Sequence, residues 1–332
     1  MNMLNISRSV RLLSLLAALT FLAACSCGNC NVPAFHAPTL PPGATPTPPG
    51  VVPTPVVTPT PLPLAACVQG GATTIPLGDA APFALLGGAG VTNTGNMFVT
   101  FATGATSTNV FGTFNDDLIG AYPTTTVTGI TGANTAGGAT AIYATGYNSN
   151  PPFLIGAQNA LTTAYNLAAA PHAGSITFPD GQDLSQASSG VANCGPAGNA
   201  ACGVGTLGAG VYTSASTMSI TAGTLTLDGG GNPEAVFIFQ IGSALTVAAP
   251  GGNVVLINGA GACNIYWADF SGATLGGVAT GASFYGNLLA PAGGISITTA
   301  IHAFGGRALS GTAAVSISAP TTGLIITNPG GN

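Results

Sequence analysis

From about residue 75 onward the chain alternates apolar and polar residues in short runs punctuated by glycine, the period-two pattern of half-buried strands. One segment departs from it. Between Pro152 and Ala170 the apolar positions Leu154, Ala157, Leu161, Ala164, Tyr165 and Ala168 recur near helical spacing, and Pro171 follows as a stop. This predicts one amphipathic helix over about residues 154–170, its apolar stripe packed on a sheet face. A strand pair is the poorer alternative, because Ala, Gln and Leu dominate and no turn interrupts the segment.

After the helix the strand-like runs fall into threes. First strands read at Val211-Tyr212, Ala235 to Ile241, Asn264 to Phe270, Asn287 to Ala290 and Arg307 to Leu309. Second strands read at Thr217 to Thr221, Ala244 to Ala248, Ala273 to Leu275, Ile295 to Thr298 and Val315 to Ser318. Third strands read at Thr224 to Leu227, Asn253 to Asn258, Ser283 to Tyr285, Ile301 to Phe304 and Leu324 to Thr327. Equivalent positions 240, 268, 289 and 308 give rungs of 28, 21 and 19 residues. A repeat of that length, with no rung able to bury its inner face alone, is the mark of a solenoid. The reading is a three-sided β-solenoid with a helix along one side and glycine at the corners. A β-sandwich would want longer strands and clean hairpin turns.

In the second strands, alternation turns Met218, Ile220, Leu245, Val247, Ile295, Ile297, Val315 and Ile317 inward. It leaves Thr217, Ser219, Thr221, Ala244, Thr246, Ala248, Thr274, Ser296, Thr298, Ser316 and Ser318 outside. Such a face is flat, uncharged and built of small hydroxyls and methyls, on a grid of about 4.8 by about 6.6 Å that can order water. The plain alternative is that Thr and Ser favour exposed strand positions anyway.

Composition sharpens this. Of 332 residues only 3% are charged, with three bases against eight acids and a formal net charge of −5. There is no lysine, and Arg8 and Arg11 sit in the leader, so removing it leaves Arg307 alone: 1 − 8 = −7. No basic footprint exists for nucleic acid, and no cationic clamp for phosphate chemistry. Solubility therefore rests on hydroxyls and amides rather than charge.

The first 24 residues read as a signal peptide. Arg8 and Arg11 form a basic n-region, and Leu12 to Leu22 is an apolar run too short to span a bilayer. The run ends Leu22-Ala23-Ala24-Cys25, which resembles the lipobox of bacterial lipoproteins and makes Cys25 the expected lipidation site; ordinary cleavage with an incidental cysteine is the alternative. Residues 25–66 follow as a Pro/Thr-rich linker in extended polyproline II, about 3.1 Å per residue. Residues 67–332 form the head domain, expected to be monomeric. The chain is thus expected to be exported and lipid-anchored at the bacterial outer membrane or cell surface, or extracellular.

Cysteines in an exported chain point to disulfides. Cys194 and Cys202 bracket a short Gly/Ala/Asn loop that a local bridge would staple; Cys67 and Cys263 are the second candidates, with other connectivities open. Cys27 and Cys30 form a C-x-x-C without supporting histidines. Candidate carboxylate pairs, Asp116 with Asp117, Asp180 with Asp183 and Asp228 with Glu234, fall in Gly/Asn/Pro settings where Asp commonly caps turns. His36 lies in the linker, and His172 and His302 lack neighbours at metal-ligand spacing. Arg307 reads as satisfying a buried carboxylate or carbonyls. No nucleophile–base pair, cofactor motif or metal set emerges, so a non-enzyme is expected.

Several segments resemble the microbial ice-binding protein family. Pro76 to Leu86 followed by Val91-Thr92-Asn93-Thr94-Gly95 is similar to the family's opening, and Leu161 to Asn166 to the end of its single long helix. Gly223 to Ser243 is the strongest match, and the Trp267 strand and Gly306-Arg307-Ala308-Leu309 fit later rungs. The resemblance implies a mainly β fold: a right-handed, three-sided, discontinuous β-solenoid with one α-helix packed alongside. It implies adsorption to an ice crystal surface, with no cofactor. Family motifs of the form Thr-Ala/Gly-x-Thr/Asn correspond to Thr221-Ala222-Gly223-Thr224, Thr103-Gly104-Ala105-Thr106 and Thr128-Gly129-Ile130-Thr131, with near matches at Ser243 to Thr246, Ser271 to Thr274 and Thr280 to Ser283. The expected contact residues are Thr217, Ser219, Thr221, Thr224, Thr246, Thr274, Thr280, Ser283, Ser296, Thr298, Ser316 and Ser318. A surface adhesin binding glycans or neighbouring cells is the alternative from another class.

Overall fold

The computed structural model of the protein describes residues 74–276, 282–298 and 301–330. The expected signal segment 1–24, the expected lipidation site Cys25 and linker 25–66, and Cys67 and Thr280 lie outside the described residues. Parallel strands stack in two large sheets and one small one, three sides around a shared apolar interior. The first sheet runs Ile142–Tyr143, Leu118–Ala121, Phe83–Gly87, Ile301–Ser310, Ala282–Ala290, Ile265–Asp269, Phe237–Ile241, Gly210–Ser214 and Ile176–Thr177, with Leu324–Asn328 joining Ile301–Ser310 to Met97–Phe101. The third side is Thr206–Gly208, Thr224–Asp228 and Asn253–Ile257.

Stacked rungs place equivalent side chains about 4.8 Å apart, close to the separation at which aromatic rings pack well. The interior uses this. Phe178, Tyr212, Phe239, Trp267, Phe284 and Phe304 form a ladder with successive ring-centroid distances of 5.6, 5.4, 4.1, 5.2 and 5.8 Å. Its polar tips are satisfied: Tyr212 Oη donates to Gly208 O (2.6 Å) and Trp267 Nε1 to Tyr285 O (2.9 Å).

Helix α1, Pro151–Ala169, covers the outer face of this sheet. Asn150 caps it by accepting from the Phe153 amide (3.3 Å), and Pro151 and Pro152 occupy the first turn, where proline costs no hydrogen bond. The helix therefore starts three residues before the position read from periodicity. It buries Phe153, Leu154, Ala157, Leu161, Ala164 and Ala168 against sheet residues including Ile238, Tyr266, Leu289 and Leu309. Register corrects one rung: Ala268 pairs with Leu289 and Leu289 with Leu309, not with position 308. The difference matters because a slip of one exchanges the two faces; Leu309 meets the helix side while Ala308 belongs to the interior.

Two further corrections concern strand boundaries. The third and first strands expected at Ser283–Tyr285 and Asn287–Ala290 are one continuous strand, as are those within Ile301–Ser310. Gly286, at φ 118°, carries the first strand past Trp267, whose Nε1 lies 2.6 Å from where a Cβ would sit.

Spatial order departs from chain order. Phe83–Gly87 pairs with Ile301–Ser310 on one side and Leu118–Ala121 on the other, so the N-terminal rungs stack on the C-terminal ones. Helix α1 then carries the chain from the Ile142–Tyr143 end back to the Ile176–Thr177 end, a rise of about 28 Å for its 19 residues. Arg307 is fully buried at this junction. Its Nε donates to Ala81 O (2.8 Å) and its Nη1 to Asn287 Oδ1 (2.8 Å), while Asn328 Nδ2 also donates to Ala81 O (3.1 Å). Burial lowers the Arg307 pKa to about 10, with the Asp116 charge working the other way. Cys194 and Cys202 form the expected bridge, with Cα atoms 5.3 Å apart; Cys263 is buried and disulfide-bonded.

Asp269 ends its strand fully buried and ties the corner to the next side. Its carboxylate accepts from Leu245 N (3.0 Å) and Gly272 N (3.0 Å). Burial drives its pKa from 3.8 to about 7, against the backbone amides that lower it. The folded state therefore holds a proton that the unfolded state releases above pH 3.8, and the associated stability is lost as pH rises through about 7. Burial also raises Asp116 and Asp117, reinforcing this, whereas Asp183 and Asp228 are lowered and act only in more acidic solution. We expect a higher melting temperature at about pH 5 than at about pH 8, and a flatter profile in Asp269→Asn, measured by calorimetry. A flat wild-type profile across that window would contradict the assignment.

Candidate functional site

Among the described residues, no α-helix covers the second large sheet. Its eight parallel strands are Gln182–Asp183, Met218–Ile220, Leu245–Val247, Gly272–Leu275, Gly294–Ile297, Val315–Ile317, Val91–Asn93 and Val127–Thr128. Inward alternation is as read from sequence: Met218, Ile220, Leu245, Val247, Ile295, Ile297, Val315 and Ile317 are all buried. The register is unbroken from Met218–Ile220 through to Val127–Thr128.

That register builds a column at the centre of the outer face. Ser219 pairs with Thr246, Thr246 with Thr274, Thr274 with Ser296, Ser296 with Ser316, Ser316 with Thr92 and Thr92 with Thr128. Seven successive rungs present a hydroxyl, over about 29 Å at strand spacing. Two residues further along, the ladder continues through Thr221, Ala248, Gly276, Thr298, Ser318 and Thr94. On the opposite flank lie Thr217, Ala244, Gly272, Gly294, Ala314 and Gly90. Gly90 and Gly272 share φ values of 111° and 108°, the same tight entry from the corner into two different rungs. Because this flank is so small, a shallow open depression of about 460 Å³ runs beside Thr274, Ser296 and Ser316.

The structure redistributes the residues expected from sequence. Thr217, Ser219, Thr221, Thr246, Thr274, Ser296, Thr298, Ser316 and Ser318 share this sheet or its immediate continuation. Thr224 does not: it opens Thr224–Asp228 on the third side, beyond the corner. Ser283 lies in Ala282–Ala290, paired with Ala303 in the helix-covered sheet. Both close four-residue motifs, Thr221 to Thr224 and Thr280 to Ser283, whose last member falls past the turn. Thr103-Gly104-Ala105-Thr106 leads into an antiparallel hairpin, Thr106–Asn109 with Gly112–Asn115, away from the face. Thr92 and Thr94 lie on this face but are not among the residues expected from sequence. Their alternation in Val91-Thr92-Asn93-Thr94 is as clear as in later rungs, but they precede the helix and nothing local stacks them on Ser316.

The carboxylates are structural where their partners are visible. Asp228 accepts from Gly195 N and Gly230 N, both at 2.8 Å, and from Asn258 Nδ2. Asp116 and Asp117 are buried rather than turn-capping; Asp117 accepts from the Gly137 amide. Among the described residues no three of His, Cys, Asp and Glu cluster as metal ligands.

Asp183 closes one end of the hydroxyl column, opposite Ser219. Its Oδ2 accepts from Thr221 Oγ1 (2.6 Å), Thr221 N (3.1 Å) and Ala222 N (2.9 Å), and its Oδ1 from Ser185 Oγ (2.6 Å) and Ser185 N (3.0 Å). Burial opposes its charge, but these hydrogen bonds outweigh burial and hold the carboxyl below the usual range. Removing them in Asp183→Ala is expected to cost about 2 kcal/mol in denaturant unfolding. A loss within about 0.5 kcal/mol of zero would show that the carboxylate is dispensable.

The ice-binding-like family matches residues 85–322. Ice-binding protein 1 of Shewanella frigidimarina is 52% identical over 85 residues, 26% of this chain and 9% of that protein. An ice-binding protein of Nostoc sp. is 45% identical over 112 residues, 34% of this chain and 39% of that one. The matched segments thus span well under two thirds of both relatives. Among solved structures, the domain of Shewanella frigidimarina ice-binding protein 1 aligns with a TM-score of 0.57 at 28% identity, covering 76% of this chain and 97% of that one. An ice-binding protein from an Antarctic biological consortium aligns at 0.55 and 29% identity, covering 81% and 96%. A family match over most of the head domain, on a helix-backed parallel solenoid, has one meaning: the chain belongs to the ice-binding-like family.

Proposed function

We propose that this protein adsorbs to ice through its open sheet and thereby slows ice growth or recrystallisation. The observation that carries the reading is the unbroken hydroxyl column from Ser219 to Thr128 on a face with no lysine, arginine or glutamate and a single carboxylate, Asp183, at its edge. Ice offers a repeating array of water oxygens and no pocket-sized ligand. A rigid, regularly spaced row of neutral hydroxyls can hold water in such an array without ordering many side chains on contact, which keeps the entropic cost of adsorption low. Strongly hydrated charges would disturb that water, and the face avoids them.

We further infer that the head is held at the cell surface by a lipid on Cys25, with residues 25–66 as the spacer. The Arg8/Arg11 n-region and the Leu22-Ala23-Ala24-Cys25 sequence support this. Detergent-phase partitioning of the expressed full chain, lost in Cys25→Ser, is the test; equal partitioning of the variant would remove the anchor from the account.

Ice activity is tested by nanolitre osmometry and a recrystallisation assay on the mature chain. Wild type should show a hysteresis gap and arrested grain growth. Thr246→Tyr, which sets one bulky ring in the middle of the column, should lose most of both while keeping wild-type circular dichroism. An inactive wild type with an intact β-rich spectrum would refute the proposal and favour the adhesin reading.

A further inference from the structure

The two ladders of hydroxyls on the open sheet differ in what their oxygens already do. In the lateral ladder the hydroxyls are engaged within the protein. Thr298 Oγ1 donates to Leu275 O (3.2 Å), and Thr221 Oγ1 to Asp183 Oδ2 (2.6 Å). Thr94 Oγ1 shares its proton between Ile317 O (3.4 Å) and Ser318 Oγ (3.3 Å). This ladder is also interrupted, by Ala248 and Gly276.

The central column differs on both counts. It has no gap across seven rungs, and none of Ser219, Thr246, Thr274, Ser296, Ser316, Thr92 or Thr128 has a side-chain hydrogen bond to another described residue. Thr246, Thr274, Ser316 and Thr128 are exposed, and Ser219, Ser296 and Thr92 half-buried. Each hydroxyl therefore keeps its donor and both acceptor sites for what lies outside. The column is chemically mixed: three of its seven members, Ser219, Ser296 and Ser316, have no methyl. What the column conserves from rung to rung is the hydroxyl.

Resting on the ice-binding reading, we infer that the two ladders differ in role. The central column, Thr92 and Thr128 included, is the specificity-determining contact, and its working group is the free hydroxyl rather than the threonine methyl. The lateral residues Thr94, Thr298 and Thr221 are not ice contacts. Their hydroxyls face back into backbone carbonyls and a carboxylate, and at Thr94 and Thr298 they duplicate a backbone amide on the same carbonyl. A hydroxyl already committed to the protein has less to offer an external water lattice; a free one can donate or accept as that lattice requires.

The test compares isosteric pairs in the mature chain by thermal hysteresis at equal concentration. Thr246→Val with Thr274→Val removes two central hydroxyls and keeps their shape. Thr246→Ser with Thr274→Ser keeps the hydroxyls and removes the methyls. Thr94→Val with Thr298→Val removes two lateral hydroxyls; their acceptors, Ile317 O and Leu275 O, still receive the backbone amides of Thr94 (2.9 Å) and Thr298 (2.8 Å), so folding is retained. The central valine pair should fall by at least about threefold, while the central serine pair and the lateral valine pair stay within about a third of wild type. Melting temperatures confirm that all three remain folded. Equal losses in the two valine pairs, or a serine pair as weak as the central valine pair, or no loss in any of them, would each overturn the division. An inactive wild type would instead sink the ice-binding reading itself.

Discussion

In-register parallel stacking is the constraint on which the rest of the molecule depends. Once rungs repeat at strand spacing, every side chain is confronted by its equivalents above and below, and each column must be self-compatible. Inside, aromatic rings satisfy this by stacking from Phe178 to Phe304. Against the helix, aliphatic residues such as Ile238, Leu289 and Leu309 satisfy it by packing on α1. Outside, on the uncovered sheet, a column of charges would repel itself at that spacing, whereas small neutral hydroxyls do not. The composition follows from the architecture: a chain that exposes its repeats edge to edge has little use for lysine or glutamate.

The same constraint explains why the chain can break its own order. A rung docks wherever its register and its columns fit, not only beside its neighbour in sequence. Val91–Asn93 continues the columns left by Val315–Ile317, with Val91 under Val315 and Thr92 under Ser316. The buried Arg307 secures this junction by bonding to Ala81 in one half and Asn287 in the other, residues more than two hundred and just twenty positions away. Helix α1 makes the return possible by covering most of the distance between the two ends of the stack. Asp269 links the helix-covered sheet to the open one, tying the open face to the buried core.

How much of this is legible in the sequence depends on whether the signal is local. Alternation in Met218 to Ile220 or Val315 to Ile317 is local, and it identifies inside and outside without a structure. The helix is local too, apart from a start displaced by Pro151 and Pro152. Register is not local: the step from Leu289 to Leu309 differs by one from the sequence reading, because the Gly-rich segments between rungs vary in length without any change in pattern. Nor is the side of the solenoid on which a threonine falls. Thr224 and Ser283 satisfy a motif but lie past a corner, and only the backbone shows where the corner is. Thr92 has the right pattern in the wrong half of the chain. Its place in the face depends on a pairing more than two hundred residues away, which no window of sequence contains.

The most direct measurement is thermal hysteresis of Thr92→Tyr set beside Thr224→Tyr. Thr92 joins the column solely because the N-terminal rung stacks on Ser316, whereas Thr224 carries the expected motif but lies on the third side. The account predicts that Thr92→Tyr loses most of its activity and Thr224→Tyr keeps it, both folded as wild type. The reverse result, or equal activity in the two variants, would contradict the assignment of the ice contact to the open sheet.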